Sequence, residues 1–491
     1  RTRPSCMKEQ TPMIPNPQEK FNSRSQITRW IQAVLLLTVT GWVSAALEAS
    51  ETFPLGILGG TGKVTPDTAW VEIETVAKDS PGKSAGLQVG DRLIGVNGTP
   101  FTPHSAKVDA GGAGPQKSLG EALDSVASKK KKEERVISLN IRRPSEDKPE
   151  GETLTLPCPL PHRPSIREAA GVQRLIQNSR KQLLRNLKPA GYWDAPVGLT
   201  GDRVLTAWAC VALMATQSDS DRKDLSPVLK WLKGPAGRAW IPEDPKQKGP
   251  DNLGNWALTA TAVALSEAQL LAPTDENAKV IQTICDALRA RMDDEGMFGH
   301  DVVTGYRGKG FNVINTLSHL AWSISEIAGA KVPEESWKLS LGQIRESIDP
   351  NGGIRYWTMK RTGTADASLR TSSMALALLL KSSEESMKNQ LCKYLDEYRA
   401  RTREAHAVGS LGMLLAPAVL WQHDPKAYQR FLDEWCWYLS LTQNHLGQIR
   451  YIGGKKNNGG DGYLGKHRMA CVIALMVLSP PQEKLRLYRS E

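Results

Sequence analysis

Residues 351–357 read Asn351-Gly352-Gly353-Ile354-Arg355-Tyr356-Trp357, and from Thr371 the chain continues TSSMALALLL. A glycine turn carrying aromatics is thus followed by an apolar run whose small members are Ser, Thr and Ala. Such a run lacks the polar stripe of a surface helix and the strict alternation of a half-buried strand, so it reads as a buried helix. The unit recurs. Comparable turns stand at Ala190-Gly191-Tyr192-Trp193, at Glu295-Gly296-Met297-Phe298-Gly299 and at Leu446-Gly447-Gln448-Ile449-Arg450-Tyr451. Comparable helices begin near Thr206 (TAWACVALMA), Thr259 (TATAVALSEA), Thr316 (TLSHLAWSIS), Ser410 (SLGMLLAPAV) and His467 (HRMACVIALMV). From Thr206 to Thr371 the intervals are 53, 57 and 55 residues. Amphipathic segments lie between these helices, at Ala278 to Met292, Ser336 to Ser347 and Glu384 to Arg399. A fixed period of this length marks a repeat architecture. Small side chains let inner helices approach closely while the amphipathic partners cover them. The expected fold of 171–491 is an all-α domain, an α/α toroid of paired helices.

Upstream the periodicity changes. Residues 161–170 form a linker, with Pro161 and Pro164 within it. Residues 53–160 form a small, mostly-β module. Ala69 to Val76 alternates as a half-buried strand does. The run Asp79-Ser80-Pro81-Gly82-Lys83-Ser84-Ala85-Gly86-Leu87-Gln88-Val89-Gly90-Asp91-Arg92-Leu93-Ile94-Gly95-Val96-Asn97-Gly98 is the densest local pattern in the chain. Ser80-Pro81 opens a turn, Gly90-Asp91 turns into a strand, and Asn97-Gly98 suits a tight turn with positive φ. Ser118 to Ser128 reads as a helix with Leu119, Ala122, Leu123 and Val126 on one face, followed by strands at Val136 to Ile141 and Thr153 to Leu156.

That run resembles the PDZ signature in the form found in bacterial periplasmic proteases, over about residues 54–158. The resemblance implies β-augmentation, in which a partner's C-terminal strand adds to a sheet edge and backbone N–H groups of a glycine-bearing loop hold its carboxylate. By position the loop is Leu55-Gly56-Ile57, and Leu119 and Leu123 belong to the groove helix. Pro54 at the start of the loop removes one donor. The glycine-rich insert Ala110 to Gly114 also departs from the pattern. Two uses stay open, capture of a peptide and packing against the neighbouring domain. The helical part resembles the squalene-cyclase/prenyltransferase-like, or terpenoid-cyclase-like, toroid superfamily. The whole chain resembles an uncharacterised family of exported bacterial proteins with an N-terminal PDZ domain before such a toroid.

Residues 31–43 read IQAVLLLTVTGWV, preceded by Lys20, Arg24 and Arg29 and followed by Val43-Ser44-Ala45-Ala46. This is the pattern of a secretory signal peptide, within a leader of residues 1–49. The run is short for a membrane span. The expected location is the periplasm, cell envelope or extracellular space, with no stable transmembrane span after cleavage. The formal net charge of +11 includes the run Lys129 to Lys132. No aromatics interleave with that run and no nucleic-acid motif accompanies it, so no nucleic-acid partner is expected. The seven cysteines form no C-x-x-C pair, which argues against zinc-ribbon and thioredoxin chemistry.

Sites in α/α toroids lie at the mouth, near the N-termini of inner helices. The polar residues there are Asp202, Arg203, Asn255, Asn315, Arg370, His406, Asp461 and His467. They are the funnel candidates, and capping of helices and turns is the competing role for each. No D-x-D-D acid motif, zinc ligand set or nucleophile motif is present. Neither a cofactor nor a metal is expected. Two functions remain. One is an exported peptide- or protein-binding scaffold. The other is an enzyme acting on a glycan or lipid in the funnel.

Overall fold

The computed structural model describes residues 51–104, 114–216, 222–234, 241–302, 310–357, 364, 366–405, 409–452 and 462–489. Residues 50–491 form one compact unit. His406, Asp461 and the leader lie outside the described residues.

The first part is a seven-stranded antiparallel sheet. Its strands are β1 (Glu51–Pro54), β2 (Gly60–Val64), β3 (Val71–Val76), β4 (Arg92–Val96), β5 (Thr99–Pro100), β6 (Val136–Arg143) and β7 (Glu152–Pro159). Their order is β1-β2-β3-β4-β6-β7, with β5 paired to β4. Val71 and Ile73 of β3 are buried while Glu72 between them is exposed, the period-2 pattern of a half-buried strand. Helix α1 (Pro81–Ser84) starts where the Ser80 Oγ accepts from Lys83 N at 3.2 Å. The buried carboxylate of Asp91 is gripped by Arg143, with Nε at 2.7 Å and one terminal nitrogen at 2.8 Å. This two-pronged pair ties β6 back to the Gly90-Asp91 turn. Asn97, at φ 52°, and Gly98, at φ 77°, make the tight turn before β5. Helix α2 (Pro115–Ala127) lays Leu119, Leu123 and Val126 into the core of this module.

Among the described residues twelve α-helices follow. They are α3 (Ala169–Arg185), α4 (Leu199–Ala215), α5 (Arg222–Lys233), α6 (Gly254–Leu271), α7 (Asp275–Arg291), α8 (Asn312–Ile327), α9 (Glu334–Glu346), α10 (Ser368–Lys381), α11 (Glu385–Glu397), α12 (Gly409–His423), α13 (Pro425–Thr442) and α14 (Lys466–Leu478). The even-numbered helices form the inner ring: α4 packs on α6, α6 on α8, α8 on α10, α10 on α12, α12 on α14, and α14 returns to α4. Each odd-numbered helix covers an inner one, and α3 covers α14, so the toroid closes. The inner helices are buried almost throughout, as in Thr200–Ala215, while the outer ones bury one face only. This matches the sequence, where small and apolar residues run through the inner members and charges stripe the outer ones.

The glycine turns hold the repeats together. Gly352 has φ 88°, and a Cβ there would fall 2.6 Å from the Gln390 carbonyl of the next outer helix. Only glycine combines that conformation with that approach. Two residues on, Trp193, Phe298 and Ile354 are fully buried. Their backbone N–H groups donate to the inner-helix side chains Thr206 (3.1 Å), Asn315 (2.8 Å) and Thr371 (3.2 Å). At the ring closure Ile449 N donates instead to Gln182 of α3 at 2.8 Å. The far end of the ring is sealed by Leu485, Leu487 and Tyr488. The buried Glu267 carboxylate of α6 accepts there from Arg486 N at 3.0 Å and Leu487 N at 2.8 Å.

The sheet module is docked on α13. A Cβ at Gly120 of α2 would lie 2.6 Å from the Trp437 carbonyl, so the two helices touch backbone to backbone. Around this contact Lys117 pairs with Glu434 at 2.8 Å, and Arg167 with Asp433 at 3.3 Å. Asp124 accepts from Ser165 Oγ and from Ile166 N, the latter at 3.1 Å. Arg163 donates to the carbonyls of Gln443 (2.8 Å) and Asn444 (2.7 Å).

Candidate functional site

The residues expected to bind a peptide occupy a closed interface. Leu55, Ile57, Leu119 and Leu123 are at most 2 % exposed. Gly56 lies in a short 3-10 turn, Gly56–Leu58, and a Cβ on it would meet the Ser440 carbonyl at 3.1 Å and the Leu441 Cα at 3.2 Å. Helix α13 therefore covers both the loop and the helix of the expected groove. The strand edge is also filled. β1 pairs antiparallel with β2 in the register Glu51↔Val64, Thr52↔Lys63, Phe53↔Gly62 and Pro54↔Thr61. Glu51 Oε2 accepts from Gln116 Nε2 in the first turn of α2 at 3.3 Å, and Oε1 lies 3.9 Å from His104 Nε2. β1 thus takes the place on β2, beside α2, that an added strand would need. Of the two uses left open for these five residues, packing against the neighbouring domain is the one this structure describes: the chain's own strand and a toroid helix lie over them.

Four of the funnel candidates are committed to the turns. Asp202 Oδ1 accepts from Ala195 N at 2.5 Å. Asn255 Nδ2 donates to the carbonyls of Gly299 (3.0 Å) and Asp301 (3.1 Å). Asn315 holds Phe298 N, as above. Arg370 donates from Nε to the Ile354 carbonyl at 2.9 Å and pairs with Asp366 at 2.9 Å. Arg203 is likewise spent inside the ring, on Thr261 Oγ1 at 2.9 Å and on the Leu232 carbonyl. Their spacing came from the repeat, and so does their role. Polar residues at inner-helix starts recur because the N–H and C=O groups of the turns need side-chain partners.

Asp202 keeps a second property. Its carboxyl is held above the usual range, first by burial, with the carboxylates of Asp194 and Asp251 adding to the shift and the Ala195 N–H and Arg468 opposing it. Asp251 Oδ2 accepts from Thr200 N at 3.0 Å, and Arg468 pairs with Asp194 at 2.9 Å. Three acidic side chains, two from turns and one from the helix itself, therefore gather at the start of α4. Further round the ring, aromatic rings form a chain. Trp256 Nε1 donates to His300 Nδ1 at 2.8 Å, His300 meets Phe311 with centroids 4.4 Å apart, and Phe311 stacks on Tyr356 at 5.7 Å.

His467 stands elsewhere, on a cavity of about 430 Å³ between the sheet module and the toroid. The sheet contributes Thr52, Phe53, Pro54, Thr61 and Thr75; the toroid contributes Asn444, His445, Arg450, Tyr451, Lys466 and His467. The ring-closing turn positions most of the second group. Asn444 Oδ1 accepts from Leu446 N (3.0 Å) and Gln448 N (2.9 Å), and His467 Nδ1 accepts from Tyr451 N at 3.3 Å. His467 is held below the ordinary imidazole range, first by burial and then by the positive charges of Arg450 and Lys466. His445 is lowered by burial and by Arg163, with Asp79 opposing. Both rings are neutral near pH 7. The sequence placed His467 at the start of an inner helix but paired it with funnel residues. Thr52, Thr61 and Thr75, which line the same cavity, lie some four hundred residues earlier, and no local pattern announces that they share it. Among the described residues no group of His, Cys, Asp or Glu is placed to hold a metal ion. None of the helices is long and apolar enough to cross a membrane, among the described residues.

No curated protein matches the sequence. The chain is similar to the unsaturated glucuronyl hydrolase of Bacillus sp. GL1 (14% identity, TM-score 0.45, covering 65% of this chain and 99% of that one). It is also similar to an α-1,6-mannanase of Salegentibacter sp. HEL1_6 solved with α-1,6-mannotriose (12% identity, TM-score 0.44, 62% and 99%). A third is a type II terpene cyclase from Scytonema solved with geranylgeranyl dihydroxybenzoate (12% identity, TM-score 0.42, 63% and 97%). A PDZ-domain family model matches residues 72–110. A second family model, described as a domain of unknown function (DUF6288), matches residues 176–488, well over half of the chain, and the protein therefore belongs to the DUF6288 family.

Proposed function

We propose that the protein is an exported binding protein whose ligand sits in the seam cavity, with the PDZ module serving as one wall of the site. The observation that supports this is the cavity itself. Its volume falls within the range of about 300–1,000 Å³ common to small-molecule sites. Its walls come from both modules, and a site at a domain junction is held in shape when the junction is tightly packed. The docking of α2 on α13 supplies that rigidity. The test is a thermal-shift screen of small metabolites, sugars and short peptides against the full chain. A ligand that binds only the folded state raises the melting temperature by mass action. Thr52 is exposed on β1 and faces the cavity, so Thr52→Trp fills the space without entering the core. Compounds whose shift disappears in Thr52→Trp identify the ligand. A screen in which no shift depends on Thr52 removes the cavity from consideration. Export is checked by recovering the protein from the envelope fraction and sequencing its N-terminus, which is expected between Ala45 and Ala49.

A second reading rests on the gathering of Asp194, Asp202 and Asp251 and on the nearby aromatic rings. A carboxyl held above its normal range beside two further acidic side chains suits general-acid work on a glycan. If this reading holds, the full chain releases reducing ends from a polysaccharide panel and Asp202→Asn lowers that rate at least a hundredfold. Release that is unchanged in Asp202→Asn excludes it.

A further inference from the structure

We infer that the seam cavity takes a small hydroxylated carboxylate, a sugar acid, held by Arg450 and Lys466 from the toroid and by threonine hydroxyls from the sheet. The inference rests on the cavity being a ligand site and adds the chemistry of what enters it. Among the described residues lining the cavity, Arg450 and Lys466 carry full positive charges and none carries a carboxylate. His467, on the same wall, is held below the ordinary imidazole range first by burial and then by these two charges. A pair of cations lining a concave space attracts an anion more strongly than the same pair on open surface. Arg450 donates one of its N–H groups to Gln448 Oε1 at 2.7 Å, which leaves the guanidinium further donors and steadies it. The opposite wall is hydroxylic. Thr61 and Thr75 sit side by side, their Oγ1 atoms 2.9 Å apart. Each hydroxyl has a second lone pair or proton to offer to an alcohol. Tyr451 adds an aromatic ring. Carboxylate to the cations, hydroxyls to the threonines and a ring face to the tyrosine is the polarity of a pyranose acid.

The experiment is isothermal titration calorimetry on the full chain with D-glucuronate, with D-glucose as the uncharged analogue. Glucuronate is expected to bind at least tenfold tighter than glucose. Lys466→Gln, at an exposed position where folding is not at risk, is expected to weaken glucuronate severalfold and to leave glucose unchanged. Arg450→Gln is expected to do the same, and Thr52→Trp to abolish binding. Equal affinity for glucose and glucuronate overturns the inference, as does unaltered glucuronate binding in Lys466→Gln. Binding of neither sugar, with Thr52-sensitive binding of other neutral compounds, also overturns it but leaves the cavity as a ligand site. A short peptide that binds in a Thr52-sensitive manner with a free C-terminus, and not when amidated, overturns the sugar-acid assignment in favour of a terminal carboxylate. Loss of Thr52 sensitivity for every compound overturns the site together with its ligand.

Discussion

Gly120 shows how much one residue decides in this protein. It lies midway along α2, where glycine costs about 1 kcal/mol relative to alanine in helix propensity. The gain is contact: without a side chain, α2 reaches the backbone of Trp437. Gly120→Val would place a branched side chain where the Trp437 carbonyl stands, 2.6 Å from the new Cβ. It is expected to destabilise the fold by about 1–3 kcal/mol, as overpacking does. The damage is expected at the junction, so limited proteolysis should cut at residues 162–168 first, while denaturant melts report the loss. Glu267 is a second such residue. Burial raises its carboxyl from 4.5 to about 7, against the lowering effect of the Arg486 and Leu487 N–H groups. A raised folded value means that the native state holds a proton which the unfolded chain has released. The stability from this group is therefore complete below about pH 4.5 and is lost as pH rises to about 7, on the order of 3 kcal/mol in all. His319 works the other way. Its fully buried ring, lowered to about 3 by burial and then by Lys381, removes stability as pH falls below 6.5. The two overlap, so the difference between wild type and Glu267→Gln isolates the first. That difference is expected to shift steadily in favour of the variant between pH 4.5 and 7 in urea titrations.

At the scale of elements, β1 is the informative one. Paired with β2 on one side only, it forms an edge of the sheet, and four residues make a weak strand by themselves. It is held at its first residue by the Glu51 contacts to Gln116 and His104, and Arg403 Nη2 of the toroid approaches the same carboxylate at 3.7 Å. Removing residues 51–54, or reversing the charge with Glu51→Lys, is expected to free the N–H and C=O groups of β2. Amide exchange in Gly60 to Val64 should then speed up at least tenfold in a hydrogen-exchange experiment. Peptides with free C-termini should bind these variants better than the intact chain. Equal binding to both would mean that α13 alone keeps the groove closed.

The repeat, by contrast, was legible from the sequence. TSSMALALLL and its counterparts are inner helices, and the segments 278–292, 336–347 and 384–399 overlap the outer helices α7, α9 and α11. These features are local in sequence and periodic, so composition reveals them. The PDZ run from Asp79 to Gly98 was legible too. What covers Leu55, Gly56 and Leu119 was not. The cover comes from Trp437, Ser440 and Leu441, more than three hundred residues away, and docking between modules leaves no periodic trace. The seam cavity was hidden for the same reason. His467 carried a hint in its place at the start of a helix, but Thr52, Thr61 and Thr75 look like ordinary strand residues.

Helices α3 to α14 form a ring whose two ends meet, and the sheet module sits across the meeting point. α3, the first helix of the toroid, covers α14, the last. Gln182 of α3 bonds to Ile449 in both directions, accepting from its N–H at 2.8 Å and donating to its carbonyl at 2.9 Å. The linker's Arg163 reaches Gln443 and Asn444 in the same stretch, and α2 lies along α13 just before it. The sheet module therefore acts as a clasp. A closed chain of helices can spring open only where no peptide bond crosses, and here that single place is pinned from outside. Were the backbone severed instead between α8 and α9, the two pieces would still meet along the clasped joint, through α2 on α13 and α3 on α14. Integrity of this ring is thus vested in a joint without covalent continuity, and whatever occupies the cavity beside that joint adds a further bolt to it.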